Sequence, residues 1–131
     1  MILVDTSVLI EFFKGSGTEE SQKFEEVLKR RIPFGINSHI MQEILQGAAS
    51  EKEFELLRKY LSTQRFYHPK DPVESYISAA KIYMECRKQG ITIRSTIDCL
   101  IAQTAIEHDL LLLHRDNDFR AMSRIIPLRF Y

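Results

Sequence analysis

"ILVDTSVLIEFF", residues 2–13, sets a carboxylate, Asp5, at the joint between two apolar runs of different period. Residues 2–4 are apolar and mostly β-branched, as in a buried strand, whereas Val8, Leu9, Phe12 and Phe13 recur at helical spacing up to Gly15. The stretch predicts a strand that runs straight into a helix, with Thr6 or Ser7 as the capping residue.

The same step recurs outward along the chain. Residues 19–31 predict a charged amphipathic helix around Phe24, Val27 and Leu28, ended by Pro33, and "PFGI" (33–36) follows as a short buried strand. Asn37 and Ser38 are cap-type residues for a helix "HIMQEILQG" (39–47) that stops at Gly47, and residues 51–62 form another around Phe54, Leu57 and Leu61. "RFYH" (65–68) reads as a strand, after which Asp71, Pro72 and Glu74 supply N-cap, N1 and N3 of a helix to about Lys88, closed by Gly90. Thr96 caps a helix from Ile97 to about His108, and "LLLLH" (110–114) is a continuous apolar run typical of a buried parallel strand. "RDNDF" (115–119) reads as a loop, and "IIPLRF" (125–130) as an edge strand, because Pro127 cannot donate to a central ladder. Strands alternating with helices predict an α/β fold, a three-layer α/β/α sandwich with a mainly parallel central sheet, in one domain spanning residues 1–131.

Composition excludes more than it identifies. The 131 residues carry 18 Lys and Arg against 18 Asp and Glu, so no global charge argues for nucleic acid, and any such site must be local. Cys86 and Cys99 show no zinc-type spacing and read as reduced core thiols. No apolar run reaches membrane-spanning length, and the apolar N-terminus carries Asp5 and Glu11 rather than a basic leader, which predicts a cytoplasmic protein with no membrane partner.

Four acids stand at informative positions. In a parallel sheet the ligand crevice lies beyond the carboxyl ends of the strands. Asp5 and Asp116 both follow apolar strands, so they meet there although distant in sequence. Taken singly, Asp5 reads as an N-cap and Asp116 as a turn residue. Glu43 shares a helix face with Ile40 and Gly47, beside Ile44, and Asp98 shares one with Ile101, Ala102 and Ala105. Several inward acids on different elements are hard to explain without a shared cation, since an isolated buried carboxylate would take up a proton. With no Cys or His triad among them, the oxygen-rich set favours Mg²⁺, with Mn²⁺ as a substitute, and such ions commonly serve phosphodiester hydrolysis.

"VDTSVLIEFF", "HIMQEILQG", "STIDCLIAQTA" and "LLLLHRDNDF" together resemble, in order and spacing, the four acidic motifs of PIN-domain nucleases, and most closely those of VapC toxins of type II (VapBC) toxin–antitoxin modules. The resemblance runs from Ile2 to about Phe130. It implies the PIN sandwich and a Mg²⁺- or Mn²⁺-dependent endoribonuclease that inhibits translation. Asp5, Glu43, Asp98 and Asp116 match the catalytic acids, with Asp5, Asp98 and Asp116 as metal ligands and Glu43 orienting metal or water. "RDNDF" also offers Asp118 as the fourth acid, or as the cap of a turn that packs Phe119, and Ser7 or Thr6 matches a supporting hydroxyl after the first acid. His114 stands two before Asp116, where many members carry Thr or Ser.

The substrate implied is RNA, whether tRNA, rRNA or mRNA, and Arg94, Arg115 and Arg120 are the cations expected to rim the acidic pocket. The implied partners are a VapB antitoxin, for which the Phe24/Val27/Leu28 and Phe54/Leu57/Leu61 stripes are docking candidates, and a second copy in a homodimer. A catalytically silent PIN-like RNA- or protein-binding module is the main alternative. A haloacid dehalogenase-type phosphatase fits less well, because its chemistry wants an Asp where this chain has Ser7.

Overall fold

The computed structural model describes all 131 residues. Strand β1 (Ile2–Val4) leads directly into α1 (Thr6–Lys14), followed by α2 (Glu19–Lys29), β2 (Phe34–Ile36), α3 (Ser38–Gln46) and α4 (Glu51–Ser62). Then come β3 (Arg65–Phe66), α5 (Glu74–Lys88), α6 (Thr96–Glu107), β4 (Leu111–Leu113), α7 (Asn117–Met122) and β5 (Arg129–Phe130). All four strand pairings are parallel, in the order β3-β2-β1-β4-β5. From β1 the chain steps outward to β2 and β3, then returns across the sheet to β4 on the other side of β1. The strand order thus reverses between β1 and β4, the place where open α/β sheets form their ligand crevice.

Ile2, Leu3 and Val4 are at most 1% exposed, as a central strand covered on both faces must be. Helices α1 to α4 pack among themselves, and α5, α6 and α7 pack together as a second group. These are the outer layers of the three-layer sandwich, and the 27 buried apolar residues between them form one continuous core. The ring of Phe24 is fully buried and stands edge-on to Phe12 and Phe34, with centroids 4.8 and 5.1 Å away, which locks α1, α2 and β2 together. Gly35 lets β3 approach. A Cβ there would lie 2.5 Å from Tyr67 Cε2 and 2.7 Å from the Arg65 carbonyl oxygen.

Several local expectations change. The cap of α1 is Asp5 itself rather than Thr6 or Ser7, since its carboxylate accepts from the Ser7 N–H. Thr96 is the first residue of α6, and Ser95 holds the cap position without a side-chain bond. Asp71 keeps its capping role, its Oδ1 accepting from the N–H groups of Val73 and Glu74, although α5 proper begins at Glu74. "RDNDF" is not a loop throughout: Asn117–Met122 is a short helix capped by Asp116, whose Oδ1 accepts from the Asp118 N–H at 2.9 Å. Of the two docking stripes, Phe24, Val27 and Leu61 are fully buried in this chain's own core, whereas Phe54 is 38% exposed.

Candidate active site

Asp5 stands immediately past the end of β1, where its N–H still donates to the Leu113 carbonyl and so extends the pairing with β4 by one residue. Its side chain is 5% exposed, and burial pushes its carboxyl above the usual range. Ser7 opposes that shift: the hydroxyl donates to Asp5 Oδ2 at 2.7 Å and the N–H to the same oxygen at 3.1 Å. The Ser7 Oγ also accepts from the Arg115 N–H at 3.0 Å, so one hydroxyl ties Asp5 to the exit of β4. Asp116 lies close enough for its charge to raise Asp5 further.

Asp98, in the first turn of α6, enters the same crevice from the second helical group. Its carboxyl is pushed up to about 7, first by burial and then by the charges of Asp5, Asp116, Glu43 and Asp118. Every influence on it raises the value. Carboxylate oxygens of Asp98, Asp116 and Asp118 come within 4.8 Å of one another. Glu43, on α3, stands at the exposed rim, where the Thr6 hydroxyl donates to its Oε1 at 3.4 Å. Burial and Asp5 raise its carboxyl as well.

The structure therefore brings all four of the matched acids into one electrostatic neighbourhood and adds Asp118 to them. Asp118 is not the turn cap. It is one residue inside α7, and its Oδ2 accepts from the Arg94 N–H at 3.1 Å. The Arg94 guanidinium also lies against Asp118 at 3.4 Å and Asp116 at 3.7 Å. Arg115 pairs with Glu20 at 3.6 Å and Arg120 stands exposed on α7, so the three cations surround the acid-bearing end of β4. His114 is packed against the rings of Phe119 and Phe130, and its Nδ1 accepts from the Asp116 N–H at 3.0 Å. Burial, aided by Arg120, lowers its pKa to about 4, so it serves as a neutral strut for the Asp116 backbone. Asn37 was not singled out beyond its capping role. It follows β2 directly, is 1% exposed, caps α3 through the Ile40 N–H, and leaves Nδ2 without a protein acceptor.

Oxygen-only donors, crowded until one of them holds its proton near neutrality, suit a small hard divalent cation. A cation among them would lower the energy of the ionised cluster, and nothing in the set is soft enough to favour zinc over Mg²⁺ or Mn²⁺.

Residues 2–125 of this chain, with its acids gathered over the β1/β4 switch point of a parallel five-stranded sheet, match the model of the PIN domain, so the chain is a member of the PIN-domain family. Within it, the chain is 33% identical over 130 residues to VapC ribonuclease Mb1587 of Mycobacterium bovis, an alignment covering 98% of this chain and 96% of the relative. Ribonuclease VapC11 of Mycobacterium tuberculosis matches with the same identity and coverage. Among solved structures, DNA-bound VapBC from Salmonella typhimurium superposes with a TM-score of 0.75 at 20% identity, covering 99% of this chain and 96% of that one. VapBC2 from Rickettsia felis, bound to a promoter DNA fragment, gives 0.73 at 18% identity, with 100% and 98% covered. At these identities the structural likeness is one of fold.

Proposed function

We propose that the protein is a VapC-type endoribonuclease toxin, using Mg²⁺ or Mn²⁺ to hydrolyse RNA phosphodiester bonds and neutralised by a VapB-type antitoxin. The observation that carries this reading is the crowding of acids at the switch point, which together with burial drives Asp98 to about 7 with no cation offsetting the rise. In this reading Asp5, Asp98 and Asp116 hold the ion, and Asp118, which shares the 4.8 Å cluster with Asp98 and Asp116, is oriented by Arg94. The ion supplies charge neutralisation, polarisation of the phosphoryl group and a more acidic water. Asp5 is kept ionised and oriented by the two Ser7 donors, Thr6 steadies Glu43, and Glu43 positions the attacking water. Arg115 and Arg120 meet the RNA backbone as it enters an otherwise negative crevice.

The antitoxin's face lies on the other side of Glu43. A groove between α1, α3 and α4 is lined by Ile10, Phe13, Ile44 and Leu57 as well as Glu43, and Phe13 and Phe54 are well exposed beside it. An amphipathic helix seated there would cover the rim carboxylate. No helix of the chain is long and apolar enough to cross a membrane. A cytoplasmic place of action, as a homodimer, completes the reading and suits the two buried free thiols, Cys86 and Cys99.

The test is cleavage of a mixed tRNA and rRNA pool by the purified protein, with Mg²⁺ or Mn²⁺ and with EDTA, beside Asp5→Asn and Asp98→Asn. Discrete fragments that vanish on chelation and in both variants are expected. Intact RNA with a wild type that binds Mn²⁺ would make the protein a silent module, and equal cleavage by all three proteins would expose a contaminant.

A further inference from the structure

A second concavity opens between α3, α5 and α6, with a volume of about 320 Å³. Tyr76, Ala79 and Tyr83 line it from one face of α5, at i, i+3 and i+7, so the small Ala79 leaves depth between two aromatic rings. His39, Thr96 and Leu100 stand in the facing walls. The mechanism above uses none of these side chains. Tyr76 is 48% exposed, and the Arg87 guanidinium lies 5.8 Å over the Tyr83 ring, which steadies that ring.

Its position ties the cavity to the acids. His39 precedes Glu43 by one helical turn on α3, about 6 Å of axial rise, so the two share a helix face. A polynucleotide whose phosphate lies over the acids can carry a neighbouring base past Glu43 and His39 to this cavity. Single-stranded RNA is held largely by stacking its bases on aromatic rings and by hydrogen bonds to their edges. Two tyrosine rings with hydroxyl and imidazole groups at the rim offer both, in a half-enclosed hollow rather than on a flat patch.

We propose that this cavity receives an unpaired nucleobase flanking the scissile phosphate, with Tyr83 and Tyr76 as the stacking walls. The inference rests on the ribonuclease reading of the acid cluster and gives it a specificity-determining subsite.

The test measures binding of a fluorescein-labelled 12-nucleotide oligo(A) RNA, and of the same strand with abasic positions, to the full chain in Mg²⁺. An Asp5→Asn background prevents turnover. Stacking of one base predicts that intact RNA binds roughly 5- to 100-fold tighter than abasic RNA. Tyr83→Ala and Tyr76→Ala should collapse that ratio while sedimentation stays unchanged, and Tyr83→Phe should keep it. An unchanged ratio in both alanine variants, with RNA still bound, would overturn the subsite and leave the ribonuclease reading standing. A shift in sedimentation on Tyr83→Ala would assign the cavity to a second copy of the chain and likewise overturn the subsite. If the parent protein bound neither strand and wild type left the tRNA and rRNA pool intact, both readings would fall together.

Discussion

Replacing Asp98 by Asn makes the metal-free protein more stable at pH 8 while removing its activity. Asn has nearly the same shape, and no hydrogen bond from the protein favours the ionised carboxylate it replaces. The carboxyl titrates near 7 in the folded chain against 3.8 for the unperturbed group, so as pH rises the unfolded chain gives up this proton first. Stability is therefore lost as pH rises from about 4 to about 7, and the penalty is complete above that. A rise of this size corresponds to about 4 kcal/mol between the two protonation states. Asp98 is only half-buried, and water screens its neighbours, which reduces the expected gain to about 1–2 kcal/mol. For a chain of this length that is a rise in Tm of about 4–8 °C. The assay is urea and thermal unfolding of both proteins in EDTA, at pH 8 and again near pH 4, where the gain should fall away. Saturating Mg²⁺ should shrink or reverse the difference, because the wild type alone gains the free energy of binding. A variant less stable than wild type at pH 8 in EDTA, or a gain of equal size near pH 4, would refute the electrostatic reasoning.

Three further outcomes follow from single contacts. Ser7→Ala removes the hydroxyl that joins Asp5 to the Arg115 N–H, and cleavage should fall about 10-fold or more in single-turnover measurements, with Ser7→Thr restoring part of it. Gly35→Ala forces a methyl group against Tyr67 and the Arg65 backbone and should cost about 1–3 kcal/mol of stability by urea unfolding, without touching the acids. Asp5→Asn keeps the cap of α1, whereas Asp5→Ala loses it, so both should be inactive but only the alanine variant should lose about 1 kcal/mol through the cap, read as the difference between their midpoints.

Helices α1 to α6 were legible because their apolar periods are long enough to declare a face, β1, β2 and β4 because short apolar runs end at cap or turn residues, and Asp98 because its phase on α6 is unambiguous, whereas the strand read over 125–130 shrinks to Arg129–Phe130. Helix α7 was not legible. Six residues give too little periodicity to separate a short helix from a loop, and the one local signal, an Asp two residues before Asp118, suits either. The stripes on α2 and α4 identified apolar faces but not what covers them: Phe24 and Leu61 meet this chain's own core, while Phe54 remains at the surface. The ion pairs of Arg94 join segments 22 and 24 residues apart, beyond any spacing rule, so the same residue that reads as an RNA-facing cation is also the organiser of Asp116 and Asp118.

The ordinary reading of Asp5 and Asp116 as helix caps and their reading as site acids turn out not to compete. In Asp5 both hydrogen bonds from Ser7 fall on Oδ2, and in Asp116 the bond from the Asp118 N–H falls on Oδ1. A cap uses one carboxylate oxygen and fixes the plane of the group, which leaves the second oxygen aimed by the helix start rather than by a flexible side chain. Caps at the carboxyl ends of β1 and β4 therefore do two things with one residue: they begin α1 and α7, and they hold like charges close enough to repel without letting them turn away. The sheet resists that repulsion through the pairing of β1 with β4, which continues to the Asp5 N–H itself. That is why a crowded acid cluster can be built on residues whose local roles, taken one at a time, look commonplace.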